Sequence, residues 1–177
     1  SFENAKFTLS ENQNILVGIN GSGKSNFLKT LRILKEWVSG IGLKKYLIDM
    51  LGGLDNILFK SIPSQIYVSH IKILYTFNAE ALGNYGFKFI DDIIYSIELY
   101  KNPSVSNYYV EEKIQNSKGF IYLDFKSGHG VLNELDKTES YYKKTTLVKY
   151  NDFVEPTELA LSKIFVTSGN NLFSDVG

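Results

Sequence analysis

The sequence predicts a mixed α/β fold, with a strand–turn–helix unit at the start, an antiparallel β-sheet after it and a return to helix at the end. Three observations lead there. The apolar run Asn14-Ile15-Leu16-Val17 enters a glycine-rich turn, and helical periodicity begins directly after it. From about Ser64 to Tyr150 the apolar residues are mostly β-branched or aromatic. Two turn sequences, Asn116-Ser117-Lys118-Gly119 and Lys126-Ser127-Gly128, divide that stretch as hairpin turns would.

Taken in order, Phe2–Leu9 alternates weakly and predicts a strand, and Asn14–Val17 predicts a short buried strand ending at Gly18. Asn26–Val38 predicts a helix. Phe27, Leu28, Leu31, Leu34 and Val38 fall at helical spacing, with Lys29, Arg32, Lys35 and Glu36 between them. Ser39-Gly40 breaks it. Leu43–Leu51 predicts a second, short helix stopped by Gly52-Gly53. Strands are expected within Gln65–Phe77, Phe87–Tyr100, Tyr108–Gln115, Gly119–Phe125 and Thr145–Tyr150, joined as an antiparallel meander. After Pro156 a helix resumes on Leu159, Leu161, Ile164 and Phe165. The expected organisation is one lobe: residues 1–53 as a strand–helix core, 64–150 as an antiparallel β-subdomain, and 155–177 as the start of a helical region.

Composition excludes several chemistries. The chain has 177 residues, 44% of them hydrophobic and 14% aromatic, which is enough to build a core. Nineteen basic residues balance nineteen acidic ones, so a whole-domain basic footprint for nucleic acid is absent. There is no cysteine, which removes disulfides, thiolate nucleophiles and thiolate zinc sites. His70 and His129, the two histidines, are far apart in sequence and do not suggest a multi-histidine metal site. No run approaches the roughly 18 apolar residues of a membrane span. No signal peptide opens the sequence, so the cytoplasm is the expected compartment. A first residue Ser1 and an end at Asp175-Val176-Gly177 suggest an excerpt of a longer protein.

One motif dominates the rest. Gly18-Ile19-Asn20-Gly21-Ser22-Gly23-Lys24-Ser25 fits G-x-x-x-x-G-K-[ST] at every fixed position. The glycines permit a tight backbone wrap, in which successive N–H groups converge on an anion. The following helix directs its N-terminal N–H groups and dipole to the same place. Lys24 supplies a point charge for β- and γ-phosphates. Ser25 supplies a hydroxyl for Mg²⁺ that bridges phosphate oxygens. The expected ligands are therefore ATP and Mg²⁺. The expected phosphate-binding residues are Gly18, Asn20, Gly21, Ser22, Gly23, Lys24, Ser25 and Asn26.

The segment Ile15–Leu28, with its Asn-Gly-Ser-Gly centre and the Asn26 that follows Lys24-Ser25, resembles the Walker A region of ABC-type ATPases of the RecF, SMC and OLD group, in their AAA-like branch. Ser1-Phe2 with Phe7 is similar to the strand pair that opens those proteins. Gly52-Gly53 leading to Asn56-Ile57-Leu58-Phe59, Tyr95–Leu99, Val110–Ile114 and Glu158–Ser162 are similar to later parts of the same branch. The resemblance implies the N-terminal lobe of an ATPase head with an antiparallel β-subdomain. It also implies a head-to-head dimer clamping two ATP molecules, and work on DNA or on an attached effector, in DNA maintenance or defence against foreign DNA.

The chain departs from that pattern in lacking an L-S-G-G signature and a Walker B aspartate followed by glutamate. Asp124 at the end of Phe120–Phe125 is followed by Phe125, and Asp91-Asp92 and Asp49 fit less well. Gln65 and Gln115 match a Q-loop glutamine by residue type only. The competing reading is a small P-loop kinase acting on a metabolite, with Asp124 as its metal aspartate. The hairpin character of the second half and the presence of Arg32 as the single arginine weigh against it. A GTPase ranks last, because no Asn-Lys-x-Asp motif is present. Glu111 and Glu112 are expected to be solvent-facing strand charges, His129 a surface turn residue and Trp37 core packing. Tyr141-Tyr142-Lys143-Lys144 is expected to be a strand flanked by solvated lysines, with Lys44-Lys45 as a minor phosphate-contacting candidate.

Overall fold

The computed structural model describes residues 4–10, 13–38, 42–53, 56, 70–87, 89–101, 108–135 and 145–167. Helix α1 spans Lys24–Val38. A single α-turn, α2 (Leu43–Lys45), runs on into a π-helical turn, Tyr46–Met50. The turn ends where sequence placed the stop. Gly52 and Gly53 adopt φ of 71° and 97°, and their N–H groups close back on Ile48 O and Leu47 O at 3.1 and 2.8 Å.

Among the described residues six strands follow: β1 (His70–Phe77), β2 (Ile93–Lys101), β3 (Tyr108–Asn116), β4 (Ile121–Lys126), β5 (His129–Leu135) and β6 (Thr145–Tyr150). They pair antiparallel in sequence order, so the predicted meander is what forms. Between β1 and β2 lies the short helix α3 (Ala79–Gly83). Asn78 caps it, accepting the Ala81 N–H at 3.0 Å. Helix α4 (Ala160–Thr167) is the last described element.

One face of the sheet carries the core. Alternate residues of β2 and β3, namely Tyr95, Ile97, Leu99, Tyr108 and Val110, pack against Ile33 of α1, Leu43, Tyr46, Leu47 and Leu159. A second cluster under α4 joins Leu123, Phe125 and Leu132 to Ala160 and Ile164. The arrangement is two-layered, with helices on one face of an antiparallel sheet. The other face carries charges and aromatics, including Lys72–Glu98 at 3.3 Å and rings of His70, Tyr100 and Tyr109 stacked side by side. Two glycines fix the β4–β5 hairpin. A Cβ on Gly130 would overlap Asp124 O and the Phe125 ring, and one on Gly128 would overlap Val154 O. Among the described residues no helix is long and apolar enough to cross a membrane.

Several expectations are corrected. The described part of Phe2–Leu9 is not a strand, and neither is Asn14–Val17. A strand needs a ladder partner, and the six described strands pair only with one another. Ile15 and Val17 are consequently 75% and 90% exposed rather than buried. The strand expected in Phe87–Tyr100 starts only at Ile93, because Asp92 turns to cap α3 by accepting the Ala79 N–H at 2.9 Å. Strand β5 was not expected, since Gly130 and Asn133 interrupt its apolar alternation, and His129 begins this strand rather than sitting in the turn. Glu112 is buried at 2% exposure, whereas Glu111 on the other face pairs with Lys126. Residues 65–69, Tyr141–Lys144 and the Trp37 side chain lie outside the described residues.

Candidate functional site

The glycine-rich loop enters α1 two residues earlier than the periodicity suggested, so Lys24 and Ser25 belong to the first helical turn. Gly21 and Gly23 adopt φ of 83° and 92°, the left-handed region that side chains disfavour. Ser22 N–H closes a turn on Ile19 O at 3.2 Å, and Phe27 N–H makes the first helical bond, to Gly23 O at 3.0 Å. The N–H groups of Lys24, Ser25 and Asn26 therefore lie at the helix mouth, without an acceptor one turn back.

The Lys24 ammonium folds over the loop. It donates to Gly18 O at 2.5 Å, Ile19 O at 2.8 Å and Ser22 Oγ at 3.3 Å. A Cβ at position 18 would stand 2.8 Å from Ser22 Oγ, a contact that a turn of the exposed Ser22 side chain relieves. Asn20, Gly21, Ser22 and Ser25 are exposed, so the loop, the ammonium and the helix mouth converge on one accessible place. That donor set suits a phosphate: one cation, several backbone N–H groups and a hydroxyl, with no carboxylate among residues 18–26. The Phe7 ring packs on Phe27 at a tilt of 39° with centroids 4.1 Å apart, which sets the upstream segment against α1.

Of the sequence candidates for an accompanying carboxylate, Asp124, Asp91 and Asp92 are engaged locally. Asp124 lies mid-strand in β4 and pairs with Lys113 at 3.4 Å. Asp91 pairs with Lys118 at 2.9 Å, Asp92 caps α3, and Asp49 sits exposed on the π-helical turn. Gln115 lies at a bulge of β3, opposite Ile121, and Gln65 is outside the described residues. Lys44 and Lys45 are exposed on α2. Among the described residues no group of three or more His, Cys, Asp or Glu side chains forms a metal cage.

Residue-type reasoning missed one buried acid. Glu112 accepts the Tyr95 hydroxyl at 2.7 Å and the Leu161 N–H of α4 at 3.3 Å. Burial pushes its carboxyl up to about 7, although the bonds from Tyr95, Leu161 and Ala160 pull the other way. The signal was available in the alternation of β3, where Tyr108, Val110, Glu112 and Ile114 share the inward face.

Comparison with known proteins gives one family. The profile described as AAA domain, putative AbiEii toxin, Type IV TA system matches residues 14–123. No curated protein and no solved structure matches significantly. The matched segment begins at the apolar run before the loop, contains the whole loop and α1, and ends within β4. It covers 110 of the 177 residues, and the chain thus belongs to this family of AAA domains, whose character is that of P-loop, nucleotide-binding ATPases.

Proposed function

We propose that the chain binds Mg·ATP through Gly18–Asn26, and that it is the ATP-binding lobe of an ABC-type ATPase similar to the RecF, SMC and OLD group. The observation that carries this reading is the loop itself. Gly21 and Gly23 turn it, α1 opens directly behind it, and Lys24 is held at its mouth by three oxygens. A triphosphate would draw the ammonium off the two carbonyls onto its β- and γ-oxygens, exchanging neutral acceptors for charged ones. Gly18, Asn20, Gly21, Ser22 and Gly23 would line the phosphates with backbone N–H groups. Asn26 would add its own from the first turn of α1, and Ser25 would hold Mg²⁺.

In this reading residues 1–53 form the nucleotide core, 64–150 the β-subdomain and 155–177 the beginning of a helical region. Two heads would meet face to face across nucleotide, serving DNA maintenance or defence against phage, with DNA or an effector protein as partner. The toxin–antitoxin wording of the family description is compatible with the defence role. The kinase alternative loses support, because Asp124 lies within an antiparallel strand paired on both sides.

The test is a calorimetric titration of Mg·ATP with GTP as competitor, Lys24→Ala as control and a hydrolysis assay on the same sample. Binding that Lys24→Ala weakens by about 10- to 100-fold, the usual effect of losing charged hydrogen bonds, with negligible turnover, is the expected result. Steady multi-turnover hydrolysis abolished by Lys24→Ala would overturn the isolated-lobe reading. Binding indifferent to Lys24 would overturn the site.

A further inference from the structure

A line of buried and partly buried polar and aromatic groups crosses the inner face of the sheet from the loop-bearing helix to α4. The Tyr75 hydroxyl on β1 donates to the Thr30 carbonyl of α1 at 2.5 Å. Its ring lies 6.1 Å from that of Tyr95, its direct cross-strand partner on β2. The Tyr95 hydroxyl reaches diagonally to Glu112 Oε1 on β3 at 2.7 Å. The other carboxylate oxygen accepts the Leu161 N–H in the first turn of α4 at 3.3 Å. Just before α4, Glu158 accepts the Leu43 and Lys44 N–H groups at 3.0 and 3.3 Å, so the same region also caps α2.

These contacts are not interchangeable with water. Tyr95 and Glu112 are 3% and 2% exposed, and a donor or acceptor stranded there costs far more than one at the surface. The Thr30 carbonyl lies mid-helix, so the Tyr75 bond adds to the helix's own ladder and fixes α1 against the sheet. A shift of α1 must therefore either break the Tyr75 bond or drag β1. A shift of α4 must uncover the Glu112 carboxylate.

We propose that Tyr75, Tyr95 and Glu112 form a mechanical tie that makes the seating of α4 depend on the position of α1. Tyr75 is then a positioning residue that acts on α4 without touching it. The tie is independent of ligand. Its use as the output of a nucleotide-driven movement of α1 rests on the site reading above.

The test is residue-resolved amide hydrogen exchange on the chain and on Tyr75→Phe and Glu112→Leu variants, first without nucleotide. Tyr75→Phe removes only a hydroxyl, and the expected result is exchange at Ala160 and Leu161 faster by about fivefold, equivalent to one neutral hydrogen bond. Coupling is reciprocal, so Glu112→Leu, which keeps the bulk but neither hydrogen bond, should speed the α1 amides around Thr30. Wild-type rates in α4 of Tyr75→Phe, or in α1 of Glu112→Leu, overturn the tie. So does a uniform acceleration that includes β4 and β5, because a tie loosens its two ends selectively. With Mg·ATP added, calorimetric binding that leaves α4 exchange unchanged overturns its nucleotide-driven use. Absence of binding counts against the site reading alone and leaves the ligand-free comparison to decide the tie.

Discussion

Replacing Glu112 by glutamine tests whether a buried carboxylate under α4 costs the fold stability at neutral pH. In the folded chain its carboxyl is pushed from the ordinary 4.5 to about 7 by burial. A raised carboxyl means that the folded state holds its proton more tightly than the unfolded chain does. Its contribution is therefore most favourable below pH 4.5, declines as pH rises from 4.5 to 7, and is flat above. At 1.36 kcal/mol per decade the interval corresponds to about 3 kcal/mol. Glutamine keeps the shape, offers an oxygen to the α4 N–H groups and an N–H to Tyr95, and does not titrate. Urea denaturation of both forms at intervals from pH 4.5 to 8.5 gives the difference in unfolding free energy, from which groups common to both cancel. The difference should move by about 3 kcal/mol in favour of Glu112→Gln across that range, with its midpoint between 4.5 and 7. A difference that stays constant, or that moves in favour of wild type as pH rises, refutes the reasoning. It would mean that the three hydrogen bonds to the carboxylate outweigh its burial.

Three other substitutions probe separate parts of the structure. Gly130→Ala places a Cβ into Asp124 O and the Phe125 ring, where neighbouring backbone cannot yield cheaply, and should lower stability by about 1–3 kcal/mol in urea melts; an unchanged midpoint would show that the β4–β5 hairpin adjusts. Glu158→Ala removes the acceptor for two N–H groups at the start of α2 and should cost about 1–2 kcal/mol, with faster exchange at Leu43 and Lys44 as its local signature. Asp124→Asn breaks a half-exposed pair with Lys113 and should change stability by less than about 1 kcal/mol, and leave Mg·ATP affinity as it was; a large loss of affinity would restore Asp124 to the metal.

The sequence by itself determined the local features. A G-x-x-x-x-G-K-S spacing marks the loop, because each fixed residue answers a local backbone or phosphate requirement. Helical periodicity located α1, the Gly52-Gly53 stop ended the π-helical turn, and β-branched runs with hairpin turns gave the meander. These signals are contained in a few consecutive residues, so they need no knowledge of neighbours. What failed depended on partners supplied by strand pairing and by packing between layers. Asn14–Val17 has strand-like residues but no ladder partner among the described strands, and it stays unpaired. Strand β5 forms despite Gly130 because Phe125 on the facing strand occupies the space a side chain would take. Glu111 and Glu112 are identical in type and adjacent. The alternation of β3 puts them on opposite faces, but it takes the register of β3 against β2 and β4, and the arrival of α4 from nearly fifty residues away in the chain, to give one Lys126 and the other the core. Burial, and with it the energetic consequence of a charge, belongs to the assembled layers rather than to the residue. Tertiary structure alone therefore decided that Glu112 caps α4 and that Tyr75 holds the loop-bearing helix to the sheet.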